Sequence, residues 1–390
     1  MLLVVRAALI ATCVVVLVPV ATTIAAAWFP FLPSVGPFGA MINTGLPWLL
    51  GSAAVAIGLA GGAVSLGARK ASVLLVLAIT VFVGAGLIAV RYTAFAAEHG
   101  AHYNMSRSVD GFPPIPSPHG RLVMAEVDGA PLGADIWLPA GAMNAEMDSV
   151  PAVVFVHGGA FIGGFPGTRP MLLAALADAG IVGIDIEYRL SPPPRWDQAP
   201  ADVLCALGWL ANAPELALVD PRRVVVVGES AGGSLALVAG YAAGTDAIAS
   251  SCPEQGAPIV PAGVVAIAPA ADLTGIWNDG TIRDFEGDLF PEEYIGGPPS
   301  QFPDRYEAAE PFRLLRAGLP RTLVIAAEHD RMVRLERVTS LVDRIRSAGS
   351  DCELLVAPFV GHGFDGEPNS FGEQLTEWVI PAFVLRVTTR

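Results

Sequence analysis

Between Arg6 and Arg69 there is no Asp, Glu, Lys, Arg or His, and there is none between Lys70 and Arg91. Lys70 is the only lysine in the chain, and the first 91 residues hold four cations and no anion. A front region without charge excludes an ordinary solvated surface there. Three apolar runs fill it, roughly Ala7–Phe29, Pro47–Ala68 and Ala71–Val90. Each has about the ~20 residues that cross a bilayer, and three membrane helices are predicted. They account for a hydrophobic fraction of 53% and a mean hydropathy of +0.54.

The few cations set an expected orientation. Arg6 precedes the first run and Arg69-Lys70 fill the turn between the second and third. The loop from Pro30 to Leu46 has no charge. Positive charge stays inside, so the N-terminus and the Arg69-Lys70 turn are expected in the cytoplasm, and the domain beyond the third helix outside. Arg91 at that exit argues the other way. A cleaved signal peptide ending near Ala25-Ala26-Ala27 is the rival reading of the first run, and it also leaves the domain outside. Gly58 and Gly62 have the G-x-x-x-G spacing that lets helices approach, first within this set and second in a dimer.

Charge excludes a further class. Net charge is −14, and beyond residue 91 the chain holds 19 Lys and Arg against 37 Asp and Glu, a net of −18. So acidic a domain is a poor nucleic-acid binder. There are only four cysteines, with no C-x-x-C and no His/Cys cluster, so no metal site is expected. Cys13 lies in a membrane run and Cys205 in a helical pattern; Cys252 and Cys352 lie in or near loops and could pair in an oxidising compartment, though nothing in the sequence brings them together.

The remaining signals lie beyond residue 91. Residues 92–120 read as a linker, with Gly100, Gly111, Pro113, Pro114, Pro116 and Pro118 and no sustained apolar period. Strands are predicted at Arg121–Val127 and Gly133–Leu138, joined by an Asp128-Gly129 turn. From Pro151 strand and helix alternate. Strands are predicted at Ala152–Val156, Ile181–Glu187, the Val224 run, Gly263–Ala268, Thr322–Ala327 and Glu353–Ala357. Helices are predicted at Met171–Ala179, Ala201–Ala211, Ser234–Ala243, Leu335–Ala348 and near Phe371–Leu385. This order implies a mainly parallel sheet with helices on both faces, and sites beyond the strands' carboxyl ends. The organisation expected is a membrane region over 1–91, a linker over 92–120 and a catalytic domain over 121–390.

The stretch that carries chemistry is Val224 to Gly233. Four valines form a strand buried on both faces, then comes Gly228-Glu229-Ser230-Ala231-Gly232, then an apolar helix. In a G-x-S-x-G turn the serine hydroxyl stands out at the sheet's edge, and the glycines avoid neighbouring backbone. The Ala231 N–H then lies at a helix N-terminus, suited to developing negative charge. The pattern by itself also fits a Gly/Ser-rich helix start; its partners decide. The serine needs a base and the base a carboxylate, expected in the order Ser, acid, His. Downstream of Ser230 only His329 and His362 exist. His362, on a loop past the last strand, is the candidate base, and His329 reads as a local structural residue. Asp330 closes the preceding strand and is the candidate acid, with Glu328 the runner-up; Asp365 comes after His362 and breaks the order. His157-Gly158-Gly159-Ala160-Phe161 follows a strand as an oxyanion loop does, making Gly158, Gly159 and Ala231 the expected donors and His157 a brace.

HGGAF, EYRLSP (Glu187–Pro192), DPRRVVVVGESAGG, EHD and GHGF, in that order, resemble the hormone-sensitive-lipase-like carboxylesterases of the α/β-hydrolase superfamily. The stretches around Ile295-Gly296-Gly297 and Tyr306–Pro311 are also similar to feruloyl-esterase-like and isoprenylcysteine-methylesterase-like branches. The resemblance covers about Gly133 to the C-terminus. It implies an eight-stranded sheet and carboxylic-ester hydrolysis through an acyl-enzyme with no cofactor. Ala160 stands where the loop's third glycine is usual, and Glu229 where an Asp is usual before the serine. The membrane region lies outside the resemblance.

The insert from Asp272 to Pro311 brings Trp277, Phe285, Phe290, Tyr294 and Phe302, as part of a lid or acyl pocket or as a surface loop with local packing. Met171 and Pro192–Trp196 are weaker pocket candidates. The expectation is a multi-pass membrane serine esterase acting outside the cytoplasm on short-to-medium acyl esters, small-molecule or lipid. Acyl transfer and amide hydrolysis use the same triad. A non-catalytic binding protein on this scaffold would commonly have lost Ser or His. A transporter would need ionisable residues inside its spans, and these have none.

Overall fold

The computed structural model describes residues 1–32, 36–109, 113–142, 149–279 and 290–389. The chain forms two compact units. One comprises Met1–Pro113 with Ala327–His329 and Ala357–Leu375; the other comprises Pro114–Ala326, Asp330–Val356 and Thr376–Arg390.

In the first unit the predicted runs become helices α1 (Leu2–Trp28), α2 (Ile42–Ser65) and α3 (Ser72–Glu98), each long and apolar enough to cross a membrane. Helix α3 continues past Arg91 to Glu98. Ala53, Ala56, Ala60 and Ala63 recur at helical spacing on α2 and are fully buried. The small side chains let backbones approach closely, and the Cys13 thiol of α1 reaches the Ala56 carbonyl at 3.5 Å. Gly58 is turned away from this face, with nothing within 4 Å of where its Cβ would be, and Gly62 meets only Leu9. Alanines, and not the Gly58/Gly62 pair, make the close contact. The opposite faces expose Val15, Val18, Val55, Val76 and Val90, an apolar surface that suits lipid and not water.

The second unit holds an eight-stranded sheet in the order β1-β2-β4-β3-β5-β6-β7-β8. Its strands are β1 (Gly120–Val127), β2 (Ala130–Trp137), β3 (Val150–Val156), β4 (Val182–Ile186), β5 (Val219–Glu229), β6 (Gly263–Ile267), β7 (Arg321–Ala327) and β8 (Cys352–Ala357). Strands β1 and β2 run antiparallel, and β4, β3, β5, β6 and β7 pair in parallel. Val224 to Val227 of β5 are completely buried, as a β-branched run between two parallel neighbours should be. The flanking helices are α4 (Pro170–Asp178), α5 (Gln198–Leu210), α6 (Ala231–Ala242), α10 (Leu335–Ser347) and α11 (Phe371–Thr388). Helix α6 is buried along its whole length. Among its described residues the insert contains the short helices α7 (Leu273–Asp279), α8 (Phe290–Ile295) and α9 (Pro303–Ala309). Phe285 and Gly111 lie outside the described residues.

The cysteine expectation is corrected. Cys252 pairs with Cys205 of α5, Cα to Cα 5.2 Å, and Cys352 is buried and free of any disulfide. The pattern that put Cys205 on a helix says nothing of which loop faces it. The bond closes a loop of 47 residues, which in the chain-entropy picture stabilises by about 4 kcal/mol.

Mid-strand in β4, Asp185 is fully buried, accepting the Gly167 N–H at 2.6 Å. Burial pushes its carboxyl up to about 8 and Asp135 adds to that, against the Gly167 N–H, Arg121 and Arg169. The folded state therefore keeps a proton that the unfolded chain loses, and stability falls as pH rises from the ordinary carboxylate range to about 8. Asp185→Asn retains an acceptor for Gly167 and removes the titration. Melting temperatures followed between about pH 5 and about pH 8 should decline less in the variant than in the wild type.

Candidate active site

Strand β5 ends at Glu229 and α6 begins at Ala231, leaving Ser230 alone to make the turn. It does so at φ 54°, ψ −117°, a backbone region that a side chain enters only where the surroundings hold it. Those surroundings are explicit. The Ser230 N–H donates to the Ile267 carbonyl at 2.8 Å, and the Ser230 carbonyl accepts from Ser234 at 3.1 Å and Ala270 at 3.2 Å. Both flanking glycines are required: a Cβ on Gly228 would overlap the Gly232 carbonyl, and one on Gly232 would overlap the carbonyls of Val156 and His157. The turn is thus wedged against the end of β3. Gly232→Ala is expected to destabilise the domain by about 3 kcal/mol and to cost most of the activity, since β3's end must move. Chemical denaturation and turnover of a chromogenic ester check this.

The loop leaving β3 carries Gly158 and Gly159, the latter at φ 121°, with the Gly159 carbonyl accepting from Ile162 and Gly163. A Cβ on Gly158 would meet the Glu229 carboxylate. Glu229 in turn pairs with Arg169 at 3.1 Å, both largely buried. Glu229, in place of the usual Asp, is therefore a brace beneath this loop. The sequence offered no signal for Arg169. His157 is buried and donates its Nδ1–H to the Gly158 carbonyl at 2.8 Å, and its ring stacks on Tyr188. The Tyr188 hydroxyl donates to the His157 carbonyl at 3.0 Å. Burial lowers the imidazole pKa against its bond to the Gly158 carbonyl and the charge of Glu187, as a neutral brace requires. In the EYRLSP stretch, Glu187 accepts the Gly133 N–H at 2.7 Å and Arg189 chelates Asp202, so this motif also holds structure.

Ser230, Ala231, Gly158, Gly159 and Asp330 all belong to the second unit. Asp330 is 7% exposed, and its Oδ1 accepts from the N–H groups of Met332 and Val333, both at 2.8 Å, which fixes the carboxylate. Glu328, the runner-up, is engaged elsewhere and accepts the Phe359 N–H at 2.8 Å. His362 lies past β8 on the segment that belongs to the first unit. His329 is in the same unit, its backbone N–H bonded to the Val360 carbonyl at 2.9 Å and its ring edge-on to Phe359. Burial lowers its pKa, with Glu328 opposing.

The insert adjoins the loop after β3. Tyr294 stacks on Phe161 with centroids 3.9 Å apart, and its hydroxyl donates to the Trp196 carbonyl at 3.3 Å. Phe290 is buried nearby, 6.2 Å from Phe161. The Arg195 N–H donates to the Tyr294 carbonyl at 3.1 Å, so Pro192–Trp196 meets the insert. Trp277 donates to Glu292 at 2.8 Å, and Phe302 lies under Arg305.

A serine at a strained strand-to-helix turn, on a parallel sheet flanked by helices, defines the hydrolase class built on a nucleophile elbow. The profile of the alpha/beta hydrolase fold matches residues 153–366, more than half of the chain. The chain belongs to the α/β-hydrolase fold family. It is 30% identical to the esterase LipC of Mycobacterium tuberculosis over 253 residues, 63% of this chain and 60% of LipC, so it spans about three-fifths of that relative. Among solved structures it is similar to esterase 2 of Thermogutta terrifontis. The apo form gives a TM-score of 0.57 at 26% identity, covering 70% of this chain and 96% of that one. The form phosphonylated by sarin gives 0.58 at 25% identity with the same coverage. The resemblance to carboxylesterases in the sequence motifs therefore holds at the level of the family.

Proposed function

We propose that this protein is a membrane-anchored serine carboxylesterase acting on short-to-medium acyl esters. The strained backbone of Ser230, held between β5 and α6 against the end of β3, is the observation that carries the reading. In the first half-reaction Ser230 Oγ attacks the ester carbonyl carbon while His362 takes its proton. Asp330 orients the imidazole and stabilises its cation. The N–H groups of Gly158, Gly159 and Ala231 receive the oxyanion, whose charge grows only as the tetrahedral intermediate forms. Collapse breaks the carbon–oxygen bond of the leaving alcohol, which departs with the proton from His362. Water then adds to the acyl-enzyme by the same path, releases the acid and restores Ser230.

The packing of Phe161 against Phe290 and Tyr294 favours the insert as a wall of the acyl pocket over a loose surface loop. The division into residues 1–91 as membrane region, 92–120 as linker and 121–390 as catalytic domain is part of the proposal. So is the extracytoplasmic position of that domain. The Cys205–Cys252 disulfide supports it, since such bonds persist in oxidising compartments. Acyl transfer to a lipid or glycan acceptor, or amide hydrolysis, would run on the same residues. Full-length protein in detergent should hydrolyse nitrophenyl esters from acetate to decanoate, fastest at the short end, with no dependence on an added alcohol. Turnover that appears only when an acceptor alcohol is supplied would replace the esterase reading with acyl transfer.

A further inference from the structure

We propose that the membrane helices are part of the catalytic scaffold, with Asn43 of α2 as a positioning residue for the segment that carries His362. The inference rests on the triad reading above. Asn43 lies in the first turn of α2 and is buried, 4% exposed. An amide buried in an uncharged helix is costly unless both of its ends are bonded. Here both ends go to one distant segment. Asn43 Nδ2 donates to the Phe364 carbonyl at 2.7 Å, and Asn43 Oδ1 accepts the Gly372 N–H at 3.1 Å.

The Phe364 carbonyl is two residues past His362, and the Val360 carbonyl two residues before it accepts the His329 N–H at 2.9 Å. The imidazole is thus carried between two pinned carbonyls, one held from the end of β7 and one from α2. The rest of the segment is gripped by the same part of the chain. Tyr92 of α3 stacks on Phe371 with centroids 3.9 Å apart and planes 1° from parallel. Trp28 of α1 meets Phe359 edge-on at 5.0 Å. Gln374 accepts the Asn104 N–H at 2.8 Å and donates to the Asn104 carbonyl at 3.2 Å. A tether would need none of these bonds. A general base works only within hydrogen-bond reach of its proton, so a segment released at Phe364 leaves His362 poorly placed.

Asn43→Leu keeps the approximate shape, removes both bonds and makes α2 more apolar, so insertion is not compromised. The test compares kcat/KM of the full-length variant for the ethyl and the nitrophenyl ester of one acid. Nitrophenolate leaves without help, whereas ethoxide must take a proton from His362. A misplaced imidazole therefore penalises the ethyl ester more, by about tenfold relative to the nitrophenyl ester. A loss of folded protein lowers both equally. Wild-type rates on both esters, or equal losses on both, would overturn the inference. If Asn43→Leu does not accumulate, Tyr92→Leu is measured in the same way and an unchanged ratio overturns it. His362→Ala separates the two levels: if it stays active, the triad reading fails, and if it is dead while Asn43→Leu behaves as wild type, only this inference does.

Discussion

Ser230→Ala is expected to lower ester turnover by about 10⁴-fold or more while leaving the fold intact. The bonds that fix the turn run through the Ser230 backbone N–H and carbonyl, and alanine keeps both. The residual rate would come from binding and oxyanion stabilisation, which survive loss of the nucleophile. Labelling by a fluorophosphonate should vanish together with turnover. A variant that melts like the wild type and still hydrolyses esters at about a tenth of its rate would remove Ser230 from the mechanism.

His362→Ala should cost nearly as much, since nucleophile and base act as one unit and their losses do not add. The informative control is His329→Ala. Its structural contribution comes from a backbone N–H that alanine keeps, together with the ring contact to Phe359. Activity within a few-fold of wild type is expected, with a modest loss of thermal stability. Both variants are measured by kcat/KM on the same ester. An inactive His329→Ala beside an active His362→Ala would move the base to His329.

Most of the second unit was legible in the sequence because its signals are local. A valine run closed by Gly228 reads as a buried strand ending in a tight turn, and strand and helix alternate at ordinary lengths on either side. The elbow, the loop at Gly158 and the carboxylate at Asp330 each sit at a strand end, where such sheets place their sites. Contacts between distant residues were not legible. The partner of Cys252 depended on which loop faces α5, and the insert at Asp272–Pro311 hid the short helices α7, α8 and α9 because segments of that length carry too few periods to register. Arg169 is an ordinary cation until Glu229 is seen beside it. The attachment of residues 357–375 to the apolar N-terminal helices rests on bonds such as Asn43 to Phe364, far apart in the chain, for which no periodicity or motif exists.

An activated Ser230 and a domain that faces away from the cytoplasm are both proposed, and one measurement addresses the two together. Intact cells producing the wild type or Ser230→Ala are treated with a membrane-impermeant fluorophosphonate, before and after lysis. Labelling of the wild type without lysis, absent in Ser230→Ala, is the result expected. Labelling only after lysis would contradict the outward orientation, and a wild type that stays unlabelled even in the lysate would contradict the activated serine.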